Sequence, residues 1–62
     1  MNKAKFKVIK TFNYKGVTYV KGTILNEIYS KVNILGLHYN IENLGWLNSE
    51  NPIMNNLVRI LV

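Results

Sequence analysis

The chain contains no cysteine and no aspartate, and only one proline, one histidine and one arginine. Lack of cysteine removes disulfides and thiolate metal centres as means of holding a small fold together. The three carboxylates are Glu27, Glu42 and Glu50, with no spacing that pairs them for acid–base work. His38 has no nucleophile-elbow motif to serve, so a hydrolase triad built on Ser30 or Ser49 is excluded and no catalytic residue is assigned. His38 and Glu42 stand four residues apart, a spacing that converges only on a helix, and their segment reads as strands. No metal site and no cofactor are therefore expected. Gly16, Gly22, Gly36 and Gly45 occur singly and form no phosphate-binding loop. No apolar run approaches the roughly 18 residues of a membrane span. Lys7 and Lys10 interrupt any apolar core that could follow the basic start Met1-Asn2-Lys3-Ala4-Lys5. A cytoplasmic, reducing setting fits these absences.

What is present points to one small domain spanning residues 1–62. Hydrophobic residues make up 48% of the chain, enough for a modest core. The net charge of +5 is uneven: residues 1–31 hold seven Lys and one Glu, whereas residues 32–62 hold Arg59, Glu42 and Glu50. Such a basic half attracts acidic partners or nucleic acid, or serves solubility and protects a strand edge.

Ala4, Phe6 and Val8 alternate with Lys5 and Lys7, the period of two that marks a half-buried strand over residues 4–12. Lys10 breaks the inner face, so a twist or bulge is expected near Lys10-Thr11. Asn13 to Gly16 reads as a turn, and Val17 to Val20 as a second strand. Lys21-Gly22 fits a type II turn with Gly22 at its third position. Residues 23–29 form a third strand, and residues 30–36 read as a helical turn or a loop. Leu37 to Ile41 is a fourth strand, Glu42-Asn43 a hairpin turn, and Leu44 to Leu47 a fifth strand. After the turn at residues 48–52, two readings stand. Asn51 caps a helix with Pro52 at its first position, or a 3₁₀ turn leads into a strand from Leu57 to Val62. The alternating Val58, Ile60 and Val62 favour the strand. Short strands punctuated by glycine turns predict a mainly β fold, a small barrel of five or six strands. Phe6, Val8, Ile24 and Trp46 are expected to share its core.

The stretch Thr18-Tyr19-Val20-Lys21-Gly22-Thr23-Ile24-Leu25 resembles the SH3 family's segment around its diverging turn. Gly45-Trp46-Leu47-Asn48-Ser49 resembles the segment before that family's 3₁₀ turn and last strand. The opening from Phe6 through Gly22 is similar to small phage and prophage proteins of the same SH3-like kind. The resemblance covers about half the chain and implies an SH3-like barrel. The family's acidic loop has no counterpart, and Asn48 stands where the family carries proline, so its proline-peptide groove is not implied. A weaker likeness to small basic chromatin proteins rests on Lys5-Phe6-Lys7 and Tyr14-Lys15-Gly16.

Two candidate surfaces follow. Tyr14, Tyr19, Tyr39 and Trp46 are candidate partner-binding residues, because tyrosine and tryptophan dominate interface energetics. Trp46 is read either as a core anchor or as an exposed hot spot. Lys3, Lys5 and Lys7, extended by Lys15 and Lys21, form a ladder able to track a phosphate backbone. The leading expectation is a non-catalytic module of phage or mobile-element origin that binds a protein partner. The alternative is non-specific nucleic-acid binding by the lysines. Pairing of the apolar segment Leu57 to Val62 across a two-fold axis would make a homodimer.

Overall fold

A computed structural model of the chain describes residues 4–61. Seven strands and one short 3₁₀ turn (η1) follow in the order β1 (Ala4–Val8), β2 (Phe12–Tyr14), β3 (Val17–Tyr19), β4 (Ile24–Asn33), β5 (Gly36–Ile41), β6 (Gly45–Asn48), η1 (Pro52–Asn56) and β7 (Leu57–Leu61). Five of the strands form an antiparallel sheet in the order β6-β5-β4-β1-β7, and β2 and β3 pair as a separate hairpin. The architecture is mainly β, as the alternation predicted. Among the described residues, however, no ladder joins the two edges β6 and β7, so the expected barrel is not closed.

The first strand is shorter than its expected span. Ala4, Phe6 and Val8 are buried and Lys5 and Lys7 are not, but the strand stops before Lys10. Instead of continuing along β4, the backbone at Ile9 and Lys10 donates to Asn56 C=O, at 2.8 and 3.4 Å. The chain then turns into the β2–β3 hairpin. Lys15 and Gly16, both with positive φ (50° and 80°), form its two-residue loop. That is the type I′ geometry whose twist matches antiparallel strands. Gly22 (φ 98°) sits as expected at the third position of a turn closed by Thr23 N–H to Val20 C=O at 3.1 Å.

The segment 30–36, read as a loop or helical turn, is instead strand and tight turn. β4 runs ten residues to Asn33, and a two-residue tip, Ile34-Leu35, returns the chain at Gly36. Asn33 Oδ1 accepts from Leu35 N–H at 2.8 Å, so a side chain supplies the turn bond. The β4–β5 register skips between Glu27 and Tyr29, which leaves Ile28 as the extra residue of a bulge. This bulge lets one long strand serve both the β1 side and the β5 side of the sheet. The next turn is closed by Leu44 N–H to Ile41 C=O at 2.9 Å, with Asn43 at φ 68°. Leu44, expected in the fifth strand, lies in that turn and is buried there.

At the C-terminal end both sequence readings contribute. Asn51 caps η1, its Oδ1 accepting from Ile53 N–H at 2.9 Å, with Pro52 at the first position. The turn lasts only to Asn56, and β7 follows as the β-branched alternation favoured.

Phe6, Val8, Tyr19, Leu25, Ile41, Leu44, Leu47 and Leu57 make one contiguous core, with Phe12, Tyr14, Tyr39, Ile53 and Met54 packed against it. The inner face of the sheet is thus covered by the β2–β3 hairpin and η1. Two expected core members are absent from it: Ile24 is 45% exposed and Trp46 46% exposed. Both lie on strands whose inner positions are taken by their neighbours, Leu25 and Leu47. A strand sends successive side chains to opposite faces, so burying those leucines turns Ile24 and Trp46 outward.

Candidate interaction surface

The outward-facing side chains of β4, β5 and β6 fall into rows set by the register. Tyr29, Asn40 and Trp46 form one row, and Lys31, His38 and Asn48 the next. Tyr29 meets Trp46 edge to face, ring centroids 6.0 Å apart, and Lys31 Nζ lies 4.8 Å from the centre of the Trp46 ring. The aromatic pair and the cation hold one another while both rings stay open to solvent. Trp46 is therefore the exposed hot-spot candidate of the two sequence readings, not the core anchor. His38, in the middle of the second row, is half-buried, and its Nε2 is buried with no hydrogen-bond partner among the described residues.

Beyond these rows the hairpin tip is apolar and open. Ile34 is fully exposed, and Val32 and Leu35 are about three-quarters exposed. Asn48 braces the tip from β6: its Nδ2 donates to Leu35 C=O at 3.2 Å, and its Oδ1 accepts from Glu50 N–H at 2.8 Å. Together with Ile28 beside the bulge, this end of the molecule carries apolar and aromatic surface of a kind that monomeric proteins seldom expose without use.

The other aromatic candidates lie elsewhere. Tyr19 is buried, stacked on Phe12 with centroids 5.1 Å apart, and cannot contact a partner. Tyr39 points to the inner face and packs edge-on against Phe6, centroids 5.1 Å apart. Tyr14 is half-buried against the core, with Lys15 Nζ 5.3 Å from its ring centre. Of the four proposed partner residues only Trp46 belongs to the exposed face. Tyr29, which does belong to it, reads from the sequence as a strand tyrosine able to join Trp46 in a patch, but it is not among those four. The signal was the alternation itself, hidden because the bulge at Ile28 shifts its phase.

The lysine ladder is also rearranged. Lys3 lies outside the described residues. Lys5 donates to Asn26 Oδ1 at 2.7 Å, and Asn26 in turn donates to Glu42 Oε1 through its side chain (3.1 Å) and backbone (3.0 Å). Lys5 is thus tied into a polar chain ending on a carboxylate, whereas Lys7 is exposed with no side-chain partner among the described residues. Lys21 N–H donates to Thr11 Oγ1 at 2.9 Å, which draws the β3–β4 turn onto the β1–β2 link. Lys7, Lys10 and Lys21 consequently gather at the end of the sheet away from the hairpin tip. Along β4 that separation is roughly 25 Å, from about 3.3 Å per residue.

On the inner face, Arg59 forms a two-pronged ion pair with Glu27, Nε to Oε1 at 2.6 Å and Nη2 to Oε2 at 3.0 Å. The guanidinium also lies over the Tyr39 ring, 5.4 Å from its centre. The hydrogen bond to Glu27 raises the Arg59 pKa, so the guanidinium stays charged wherever the protein is handled. This cluster ties β7 to β4 across β1 and closes the core over Phe6.

Among the described residues, no three of His, Asp, Glu or Cys come together in a way that could hold a metal ion. No helix is long and apolar enough to cross a membrane. The chain matches no family model, no curated protein and no solved structure. Its function has to be argued from the surface itself.

Proposed function

We propose that this chain is a non-catalytic binding module with an SH3-like arrangement, and that it engages a protein partner through the outer face of β4–β5–β6. The carrying observation is the Tyr29–Trp46 pair, open to solvent and braced by Lys31, with the exposed Ile34-Leu35 tip beyond the Lys31–His38–Asn48 row. Aromatic side chains held rigid before binding lose little freedom on contact and act as anchors. The SH3-like reading draws support from the strand order β6-β5-β4-β1-β7, from a hairpin inserted between β1 and β4, and from a 3₁₀ turn just before the last strand. The resembling segments fall at the matching places: Gly22 in the turn before β4, and Gly45-Trp46-Leu47 on β6 ahead of η1. The phage or mobile-element origin rests on the compositional bias, the small size and the opening segment.

The test is affinity capture from a lysate of the source cells, with and without nuclease. A complex that survives nuclease and 0.3 M salt, and that Trp46→Ala weakens by about thirtyfold (about 2 kcal/mol), is the expected result. Loss of the complex on charge reversal at Lys7 and Lys21, with Trp46→Ala and Tyr29→Ala silent, would overturn it.

One observation favours a second reading, nucleic-acid binding at the opposite end: the Thr11–Lys21 contact brings Lys10 and Lys21 to the same corner as Lys7. That reading predicts a gel shift at low salt that fades with a slope of about −0.9 per neutralised phosphate. No shift at about 50 mM salt removes it.

A further inference from the structure

We propose that the free edge of β7 is a strand-addition site for an extended, acidic segment of a partner protein. The site does not depend on the Tyr29–Trp46 face. The phase of the β1–β7 ladder decides which backbone groups of β7 are unpaired. Ile9 N–H donates to Asn56 C=O, while Val8 spends both its backbone groups on the β4 side, donating to Thr23 C=O (2.9 Å) and accepting from Gly22 N–H (2.7 Å). Hydrogen-bonded and non-hydrogen-bonded pairs alternate along an antiparallel ladder. Val8/Leu57, Phe6/Arg59 and Ala4/Leu61 are therefore the non-hydrogen-bonded pairs. The N–H and C=O groups of Arg59 and Leu61, and Leu57 C=O, point away from β1. Leu57 N–H is already taken by Met54 C=O. Among the described residues, the outward groups of Arg59 and Leu61 meet no partner.

Most of the usual protections of a sheet edge are missing here, the one inward charge, Arg59, being matched by Glu27. β7 has no proline and no lysine, and its register with β1 runs unbroken over five pairs. The opposite edge is partly closed, because Asn48 C=O accepts from Asn51 N–H and the Asn48 side chain is engaged on both sides.

Charge selects the occupant. On the outer face Val58 and Ile60 are partly exposed, and their neighbours on β1 are Lys7 and Lys5. An added strand lies two strand spacings, about 10 Å, from β1, within reach of long side chains from both sides. Lys7 has no carboxylate partner among the described residues, and Lys5 bonds a neutral amide. The Lys7 ammonium is therefore left uncompensated beside the edge, whereas that of Lys5 is drawn toward β4 by Asn26. On the inner face Arg59 is matched by Glu27. A second copy of the chain brings a net charge of +5 and, in the fully paired register, sets Arg59 opposite its own equivalent. Alternating apolar and acidic side chains fit better: successive side chains of the added strand take opposite faces, so the acidic ones reach toward Lys7 on the outer face and the apolar ones meet Leu61 on the inner face.

Amide-resolved NMR titration of the full chain tests this with two synthetic ten-residue peptides, one alternating valine with glutamate and one alternating valine with lysine. The expected result is that the glutamate peptide shifts the Arg59 and Leu61 amides and slows their hydrogen exchange, and that the lysine peptide binds at least tenfold more weakly. Leu61→Pro, which deletes an outward N–H without touching the β1 ladder, is expected to weaken the glutamate peptide at least tenfold. Should that variant not fold, Lys7→Glu is expected to reverse the preference between the peptides. Trp46→Ala is expected to change nothing. Silent Arg59 and Leu61 amides, equal binding of both peptides, loss of binding in Trp46→Ala, or a β7-paired dimer of the free protein seen by sedimentation would each overturn the proposal.

Discussion

Lys15 holds φ 50° at the first central position of the β2–β3 turn, a conformation that costs a residue with a Cβ and suits asparagine or glycine. Lys15→Asn creates the preferred Asn-Gly pair at an exposed site. It is expected to stabilise the protein by about 0.5–1 kcal/mol, read as a rise in thermal midpoint of several degrees. Arg59 is a second residue whose chemistry is specific. Its two-pronged grip on Glu27 and its place over Tyr39 need a planar guanidinium. Arg59→Lys keeps the charge but loses that geometry. Because Arg59 is more than a third exposed, solvent screens the pair, and the expected loss is about 1 kcal/mol in urea unfolding. The raised Arg59 pKa gives stability that is complete below the unfolded-state value and lost only as pH climbs past the folded one. The Arg59 contribution is therefore expected to stay flat from pH 6 to pH 10. A fall across that range specific to the wild type, absent from Arg59→Met, would contradict it.

At the level of elements, β1 is the strand on which the fold turns, since it lies between β4 and β7 and contributes Phe6 and Val8, both essentially without solvent contact. Phe6→Ala removes a ring packed on Tyr39 and leaves a cavity worth about 3–5 kcal/mol. In a domain this small that is a large share of total stability, so circular dichroism is expected to show a largely unfolded variant at 37 °C. Ile24→Ala, on the neighbouring strand but facing out, is expected to stay within about 0.5 kcal/mol of wild type. The contrast between these two apolar residues follows from which face of the sheet each occupies. Hydropathy does not separate them.

For the molecule as a whole, Lys7, Lys10 and Lys21 lie toward one end of the sheet and the apolar Ile34-Leu35 tip at the other, with Lys31, set over Trp46, as the cation nearer the tip. Trp46 is the only tryptophan and sits at the apolar end. Its fluorescence is expected to respond to iodide in the folded state almost as strongly as in urea, and to be protected by any partner bound there. A deeply buried indole, insensitive to iodide until unfolding, would refute the placement of Trp46 on the outer face. The excess of basic over acidic residues also predicts that moderate salt raises the thermal midpoint, because screening relieves more repulsion than it removes attraction.

Much of this was legible in the residues. The alternation of Ala4, Phe6 and Val8 with lysines placed β1, Gly22 placed its turn, and Val58 and Ile60 placed β7, because period and turn chemistry are local properties of backbone and Cβ. Asn51-Pro52 marked the start of the last turn for the same reason. Which apolar residues are buried was decided only by tertiary structure. Ile24 and Trp46 lost the core to Leu25 and Leu47, Ile28 became a bulge that exposes Tyr29 beside Trp46, and Tyr19 turned from the hairpin into the core. Those outcomes depend on which strand lies opposite and in what register. Register is settled by contacts between segments far apart in the chain, and no short window of sequence contains both sides of such a contact.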